Sequence, residues 1–351
     1  MTAPGGRPAG GTRVAYLGPE GTFTHQAALE WARRPAPSDA APSGTLPDDA
    51  ARGADRVPDD GAPGAVTAEP LDTVKDVHDV VAAGTADVGV VAIESSVEGY
   101  VVPSLDALLS SADVVAVDEV ALDVSFDAFV RPDHGDLTEV SAHPHGLAQC
   151  SGFVNGTGLG TAPASSNAAA CRDAGPGTIA LGPTICGELY GLETYAKAVE
   201  DFRGGRTRFL VLTRRSAAAA YLAGSRAAGA TDWKTMLAIT PSVTGPGVLA
   251  RITAAFGDRG VNMSSLITRP LKAQESKYVF VVTFDEAPWD QGAREVLGDL
   301  LAAGDSLKTL GLFPAGAGFR ALDGVLDPDH VPVGSVSAKD VAEDRERGLL
   351  W

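Results

Sequence analysis

The sequence predicts an α/β protein in two parts: a module of two α/β lobes built on a mainly parallel sheet, then a ferredoxin-like βαββαβ unit. Three observations carry this reading. Apolar runs of strand length alternate with segments of helical period from Val14 to Thr213, the pattern of strand–helix–strand units. Loops rich in Gly and hydroxyl residues follow several of these strands, where open α/β sheets bind ligands. After an Ala-rich polar stretch at 214–231 the alternation restarts in the order β-α-β-β-α-β.

At 351 residues the chain exceeds the roughly 250–300 residues at which single cores stop growing, which suits two or three domains. Hydrophobic residues make up 44% of it, enough for a substantial core. The formal charge of −17, with no basic run, argues against nucleic-acid binding, because phosphate contacts need clustered Lys and Arg. No apolar stretch approaches the roughly 20 residues that span a bilayer, so no membrane role is expected. Cys150, Cys171 and Cys186 cannot all pair and match no zinc spacing, and the first residues form no apolar signal segment. A cytoplasmic protein is expected.

Along the chain, Val14-Ala15-Tyr16-Leu17 reads as a buried strand, then Gly18-Pro19-Glu20-Gly21-Thr22-Phe23-Thr24 leads into a helix through Ala27, Ala28 and Trp31. Such a turn exposes backbone N–H groups at a helix start, where anions bind. Residues 35–70 are rich in Pro, Ala, Gly and Asp and read as a disordered insertion. A helix with Val74, Val77, Val80 and Val81 stops at Gly84, and a strand runs from Val88 to Ile93. Ser104 is a candidate N-cap for the next helix, with strands to follow around 116–124 and 125–130. His143-Pro144 opens a helix to Phe153, Ser165-Ser166-Asn167 precedes another, and Thr178–Leu181 is a short strand. Residues 214–231 read as a linker or bridging helix. Strand Met236–Ile239, a helix with Val248, Leu249, Ile252 and Phe256, strands Val261–Thr268 and Lys277–Phe284, a helix with Val296, Leu297, Leu300 and Leu301, and strand Leu307–Phe313 complete the second unit.

Thr207-Arg208-Phe209 stands at the start of the apolar run Leu210-Val211-Leu212, just after Gly204-Gly205 has supplied a turn. The triplet is open to two readings, a strand edge with a solvated Arg or a ligand-facing set of hydroxyl, cation and ring. The hydroxyl-rich loop Ile93–Gly99, the His143-Pro144 turn and the helix start at Gly21-Thr22 favour the second, since such parts converge in a cleft between lobes and suit a small polyanion. No His, Asp and Glu set has metal-ligand spacing, no Ser-His-Asp order is recognisable, and Gly18–Gly21 lacks a phosphate-loop Lys, which disfavours metalloenzymes, hydrolases and kinases. Glu94 and Glu98 are loop acids or a cap pair with no assigned proton transfer; His143 reads as a turn residue, Ser165, Ser166 and Asn167 as caps, and Cys150 as a buried apolar group.

Together, Gly18–Thr24, Ile93-Glu94-Ser95-Ser96-Val97-Glu98-Gly99, His143-Pro144 with Leu147-Ala148-Gln149-Cys150, Tyr190-Gly191-Leu192, Glu200-Asp201 and Thr207-Arg208-Phe209 resemble, in order, the motifs of bacterial prephenate dehydratases that carry a C-terminal ACT regulatory domain. The ACT resemblance rests on Gly245-Pro246-Gly247-Val248-Leu249, Arg259-Gly260-Val261-Asn262 and Thr268-Arg269-Pro270. The resemblance implies a periplasmic-binding-protein-like catalytic module at 13–213, with the insertion at 35–70 and a second lobe at 117–187. A linker at 214–234, an ACT domain at 235–315 and a tail at 316–351 would follow.

The implied reaction removes the ring hydroxyl and ring carboxylate of prephenate to give phenylpyruvate, water and carbon dioxide, with no cofactor and no metal. Thr207, Gln149 and Ser95 are the implied catalytic residues, Thr207 as hydrogen-bond donor to the departing hydroxyl. Arg208, Phe209, Gly21, Thr22, Ser96 and Ser166 are the implied substrate-binding residues, although strand alternation sets Arg208 on the face opposite Thr207. Gly245, Gly247, Val248, Leu249, Asn262, Thr268 and Arg269 are the implied site for an effector, L-phenylalanine. ACT pairing implies a homodimer or homotetramer.

The chain departs from the family at Ser95, where Asn is usual, at Ala142 for Ser, at Gly205 for Asn, and at Ile267, where the ACT segment usually has Glu. These departures leave two alternatives to a dehydratase: a decarboxylase that keeps the ring hydroxyl, and an inactive ligand-binding regulator.

Overall fold

A computed structural model describes residues 11–34, 66–271, 277–316, 335–337, 341 and 345. The expected insertion falls largely outside these residues, as does almost all of the tail.

The first lobe opens with β1 (Thr12–Leu17), α1 (Phe23–Arg33), β2 (Val66–Leu71), α2 (Val74–Ala83), β3 (Val88–Ser95), β4 (Gly99–Tyr100), α3 (Val102–Ser110) and β5 (Val114–Asp123). The second lobe follows as β6 (Asp127–Val130), β7 (Glu139–Ala142), α4 (Pro144–Gln149), α5 (Ser151–Thr157), β8 (Gly160–Pro163), α6 (Asn167–Arg172), β9 (Thr178–Gly182), α7 (Ile185–Leu189) and β10 (Glu193–Ala196). The chain returns to the first lobe through β11 (Arg206–Arg214) and α8 (Arg215–Ala227). It ends in β12 (Trp233–Thr240), α9 (Val248–Gly257), β13 (Met263–Pro270), β14 (Tyr278–Phe284), α10 (Gln291–Ala302) and β15 (Ser306–Pro314).

Two sheets result. The larger has the order β13-β14-β12-β15-β5-β11-β3-β1-β2, with β4 on β3, and the smaller the order β10-β6-β9-β7-β8. Strands β12–β15 have the ferredoxin-like arrangement expected from their βαββαβ order. Their sheet does not stand alone, because β15 pairs in parallel with β5 at Gly311↔Ala116. A Cβ at residue 311 would lie 3.0 Å from Ala116 Cβ and 3.0 Å from the Phe313 ring, so the close approach at this seam favours glycine.

One core face of the large sheet runs across the seam. Val91, Ile93, Leu210 and Leu212 on one side join Met236, Val281 and Phe313 on the other, beneath α2 and α3. On the opposite face Thr24, Ala27, Ala28 and Trp31 bury the i, i+3, i+4, i+7 stripe of α1 against Tyr16, Val90 and Phe209. Thr22 caps that helix by accepting from the His25 N–H at 3.2 Å.

Several expectations need correction. The sheet of the first lobe is mixed: β1 is parallel to β2 and β3, but β11 runs antiparallel to both β3 and β5. The insertion does not reach Pro70, since Val66–Leu71 pairs with β1 as an edge strand, a position that tolerates Pro70. Residues 117–123 belong to β5 of the first lobe, and the second lobe's strands extend to Ala196. Ser104 is not an N-cap: Pro103 occupies the first turn, Val101 is the cap, and the Ser104 hydroxyl has no partner among the described residues. Of the two readings of 214–231, a linker or a bridging helix, the structure has the helix, α8, whose Tyr221 donates to Asp118 together with Trp31 of α1. No helix among the described residues is long and apolar enough to cross a membrane.

His78 in α2 is 4% exposed, and neither ring nitrogen has a hydrogen-bond partner among the described residues. Burial, with a further push from Lys308 and against the pull of Asp79, lowers its pKa to about 4. The unfolded chain therefore takes up a proton near pH 6.5 that the folded chain refuses until about pH 4. Stability from this group is complete above the first value and falls with pH towards the second, by about 3 kcal/mol. His78→Leu is expected to flatten the unfolding free energy across that window relative to the wild type, as measured by urea titrations between pH 4 and 7.

Candidate active site between the lobes

The return strand β11 sets the geometry. Its odd residues Phe209 and Val211 face the α1 core and its even residues Leu210 and Leu212 the α2–α3 core, as strand alternation requires. Thr207 continues the odd face beyond the core, and there it lines a cavity of about 450 Å³ between the lobes. That volume suits a small metabolite. Ser95, opposite Thr207 in the β3–β11 register, lines the same cavity, as do Gln149 at the end of α4 and Asn167 at the start of α6.

Arg208 points the other way. Its Nη1 donates to Glu94 at 2.8 Å, and its Nε and Nη2 donate to Glu119 at 3.1 and 2.8 Å. Burial alone would lower its pKa; the charges and hydrogen bonds of Glu119 and Glu94 outweigh this and hold it above the ordinary value. The expectation that Arg208 binds substrate is thus corrected, since this buried cation is committed to two carboxylates. Phe209, also expected to bind substrate, is instead 1% exposed in the α1 core.

The remaining expected contacts divide similarly. Ser96 staples strands, its Oγ accepting from the Arg206 N–H at 2.8 Å, and Ser166 caps α6 by accepting from the Ala169 N–H at 2.9 Å. Thr22 is occupied as the α1 cap, and Gly21 donates its N–H to His25 Nδ1 while its carbonyl accepts from the Cys186 thiol. None of these four lines the cavity; its neighbour Phe23 does. The Gly21 segment instead fastens the lobes. Tyr190 Oη donates to the Glu20 carbonyl at 2.7 Å, and Phe23 meets Phe126 edge-on at 5.3 Å. Burial pushes the Tyr190 hydroxyl up to about 12, so it stays a donor.

Other lining residues were not among the expected site residues. Asn167 accepts the His143 N–H at 2.9 Å through Oδ1, which leaves its NH₂ for a ligand. A Cβ on Gly146 would come within 2.3 Å of that Oδ1, so the Asn167 amide depends on glycine there. Glu98 and His145 also line the cavity. Glu200 is engaged by the Phe126 N–H at 2.8 Å, and Asp201 by Ser151 Oγ and the Gly152 N–H, hydrogen bonds that hold its carboxyl below the usual range. Asn167 could have been found from its place beside a helix cap. Nothing local marked Phe126 or Phe202, which the fold delivers from separate loops.

The model of the prephenate dehydratase family matches residues 14–217, which contain both lobes, the cavity and all of β11. The chain belongs to the prephenate dehydratase family. Among relatives, a prephenate dehydratase of Mycobacterium sp. (strain JLS) is 32% identical over 309 residues, covering 87% of this chain and 89% of its own. One from Corynebacterium glutamicum is 31% identical over 327 residues, covering 91% and 92%. Among solved structures, prephenate dehydratase from Arthrobacter aurescens in complex with L-Phe superposes with a TM-score of 0.67 at 26% identity, over 90% of this chain and 94% of that one. The Staphylococcus aureus enzyme shares the fold, with a TM-score of 0.64 at 24% identity over 86% and 100%.

The residues expected to bind an effector lie in the βαββαβ unit. Gly247, at φ 87°, is the N-cap of α9, Val248 is buried behind it, and Leu249 is 41% exposed. Asn262 donates to Asp285 at 2.6 Å, and Thr268 sits in the outer strand β13. Arg269 is held by Asp106 of α3 through two hydrogen bonds of 2.8 and 2.9 Å, so it joins the unit to the first lobe. Its expected role as an effector contact is corrected accordingly.

Arg208→Ala is expected to destabilise the fold by about 3–5 kcal/mol, because it leaves Glu94 and Glu119 unpaired beside one another in a buried site. Urea denaturation measures this directly.

Proposed function

We propose that the cavity between the lobes carries out the decarboxylating dehydration of prephenate to phenylpyruvate, with Thr207, Gln149 and Ser95 as its chemical residues. One observation supports this reading most: three segments far apart in sequence bring these side chains to a single cavity of metabolite size. Loss of carbon dioxide from the ring carbon bearing the carboxylate sends an electron pair into the ring. The hydroxyl on the opposite ring carbon departs and takes a proton from solvent to become water, and aromatisation drives the reaction.

Thr207 Oγ1 has the role of hydrogen-bond donor to the departing oxygen. A threonine hydroxyl is too weak an acid to hand over a full proton, so it acts by preorganised stabilisation of the charge developing there. Ser95 supports from the facing strand. Its Oγ accepts from the N–H groups of Val97 and Glu98 at 3.2 and 3.4 Å, which leaves the hydroxyl proton to donate. The amide of Asn167 joins Gln149 in binding the substrate's oxygens. Arg208 contributes through β11, by fixing the strand that presents Thr207.

The βαββαβ unit is read as an ACT domain that binds L-phenylalanine at the 245–249 loop near Asn262 and Thr268. Its support is the resemblance of those segments and the L-Phe bound to the Arthrobacter aurescens relative. The outer strand β13 alternates exposed and half-buried residues, including Leu266 at 39% exposure, and offers a sheet edge for pairing two copies as a homodimer.

Pure protein supplied with prephenate should release phenylpyruvate, followed by its absorbance; no loss of prephenate would reject the enzyme reading, and loss without phenylpyruvate would favour decarboxylation alone. Thr207→Ala is expected to lower kcat by about 10²–10⁴-fold with substrate binding largely kept. L-Phenylalanine should give a binding isotherm by calorimetry that is lost in a Gly247→Val variant, and absence of heat at millimolar ligand would remove the effector role.

A further inference from the structure

The loop after β3 places one carboxylate between the two lobes at the cavity. Glu98 Oε1 accepts from Gln149 Nε2 at 2.5 Å, and Glu98 Oε2 bonds His145 Nδ1 at 2.8 Å. Both partners lie on α4 in the second lobe, whereas Glu98 belongs to the first. All three side chains line the cavity. The fastening at Gly21 and Tyr190 is made elsewhere, by the loop before α1 against α7, so Glu98 supplies a separate bridge.

Its position is set by the loop's own hydrogen bonds. Ser95 Oγ receives the N–H groups of both Val97 and Glu98, and Ser96 is bound to Arg206 through side chain and backbone, which folds the loop against β11. An ionised carboxylate only accepts hydrogen bonds. Gln149 must therefore turn its NH₂ towards Glu98, which leaves its carbonyl oxygen and the second N–H for substrate. By the same logic His145 carries its proton on Nδ1, leaving Nε2 for the other side.

We propose that Glu98 is a positioning residue of the reaction: it holds the lobes in register across the cavity and fixes which end of the Gln149 amide, and which nitrogen of His145, the substrate meets. The proposal rests on the prephenate dehydratase reading of this cavity and adds to it a residue that touches the machinery without doing the chemistry. Its bonds are half exposed, Glu98 at 40% and His145 at 67% of the side chain, and pairs of that kind add little to global stability. Its effect belongs to geometry, where a displacement of about 1 Å can cost on the order of 10²-fold in rate.

The test compares Glu98→Ala and Glu98→Gln with the wild type in steady-state turnover of prephenate. Glu98→Ala should keep the wild-type melting temperature while kcat/KM falls about 10- to 100-fold, with KM raised and kcat lowered together because Gln149 is disordered in both the ground and transition states. Glu98→Gln should stay within about fivefold of wild type, because its carbonyl still accepts from Gln149 and its NH₂ can donate to the other tautomer of His145. Wild-type kinetics for Glu98→Ala would overturn the proposal, and so would a Glu98→Gln variant as impaired as Glu98→Ala, since charge rather than position would then be what matters. If the wild type itself fails to consume prephenate, the substrate reading falls, and the bridge is judged without substrate. Amide hydrogen exchange at 145–150 should then accelerate in Glu98→Ala and not in Glu98→Gln, and unchanged exchange in Glu98→Ala would overturn it.

Discussion

The structure turns on the buried guanidinium of Arg208 and its two carboxylates. Strand β11 comes back from the second lobe and inserts between β3 and β5, and at that point Arg208 bonds Glu94 on one neighbour and Glu119 on the other. Arg208 and Glu119 are buried and Glu94 is half-buried, and taking such charges out of water is costly, so the arrangement holds only while every partner is in place. That requirement ties the register of β11 to both flanking strands at once. Thr207 is the adjacent residue, and alternation then leaves it one orientation, towards the cavity. The same arrangement commits the cation to the fold.

The second consequence is mechanical continuity between the two parts of the chain. The seam at Gly311 and Ala116 joins the sheets, and α3 is fastened to the βαββαβ unit at two points. Arg269 grips Asp106 at its middle, and Lys308 donates to the carbonyls of Leu108, Leu109 and Ser111 at its end, where unpaired backbone acceptors favour a cation. Tyr100, which pairs with Glu94 through β4, is bonded to Ser265 of β13 at 2.6 Å. The loop carrying Ser95 and Glu98 is thus followed directly by a strand and helix that the βαββαβ unit holds.

Much of this was legible in the residues. The αβ alternation and the βαββαβ restart follow from patterns that extend over a few residues, and the motif resemblance singled out Thr207, Ser95 and Gln149, all of which line the cavity. The errors have a common cause. Arg208 and Thr22 have residue types suited to a ligand, but each is already engaged: Arg208 by Glu119, 89 positions away and brought near only by folding, and Thr22 by the N–H of His25 in the helix it caps. Strand β2 was missed because Val66–Leu71 contains Pro70, which weakens a strand pattern yet fits an outer edge.

By itself the sequence determined the kinds of element, their order, the family and the face on which Thr207 and Arg208 must part, because these depend on periodicity and on short motifs. Tertiary structure decided which polar groups remain for a substrate. Hydrogen-bonding capacity is finite, and whether Arg208 or Glu98 has any left depends on neighbours that strand pairing and lobe closure supply from distant parts of the chain.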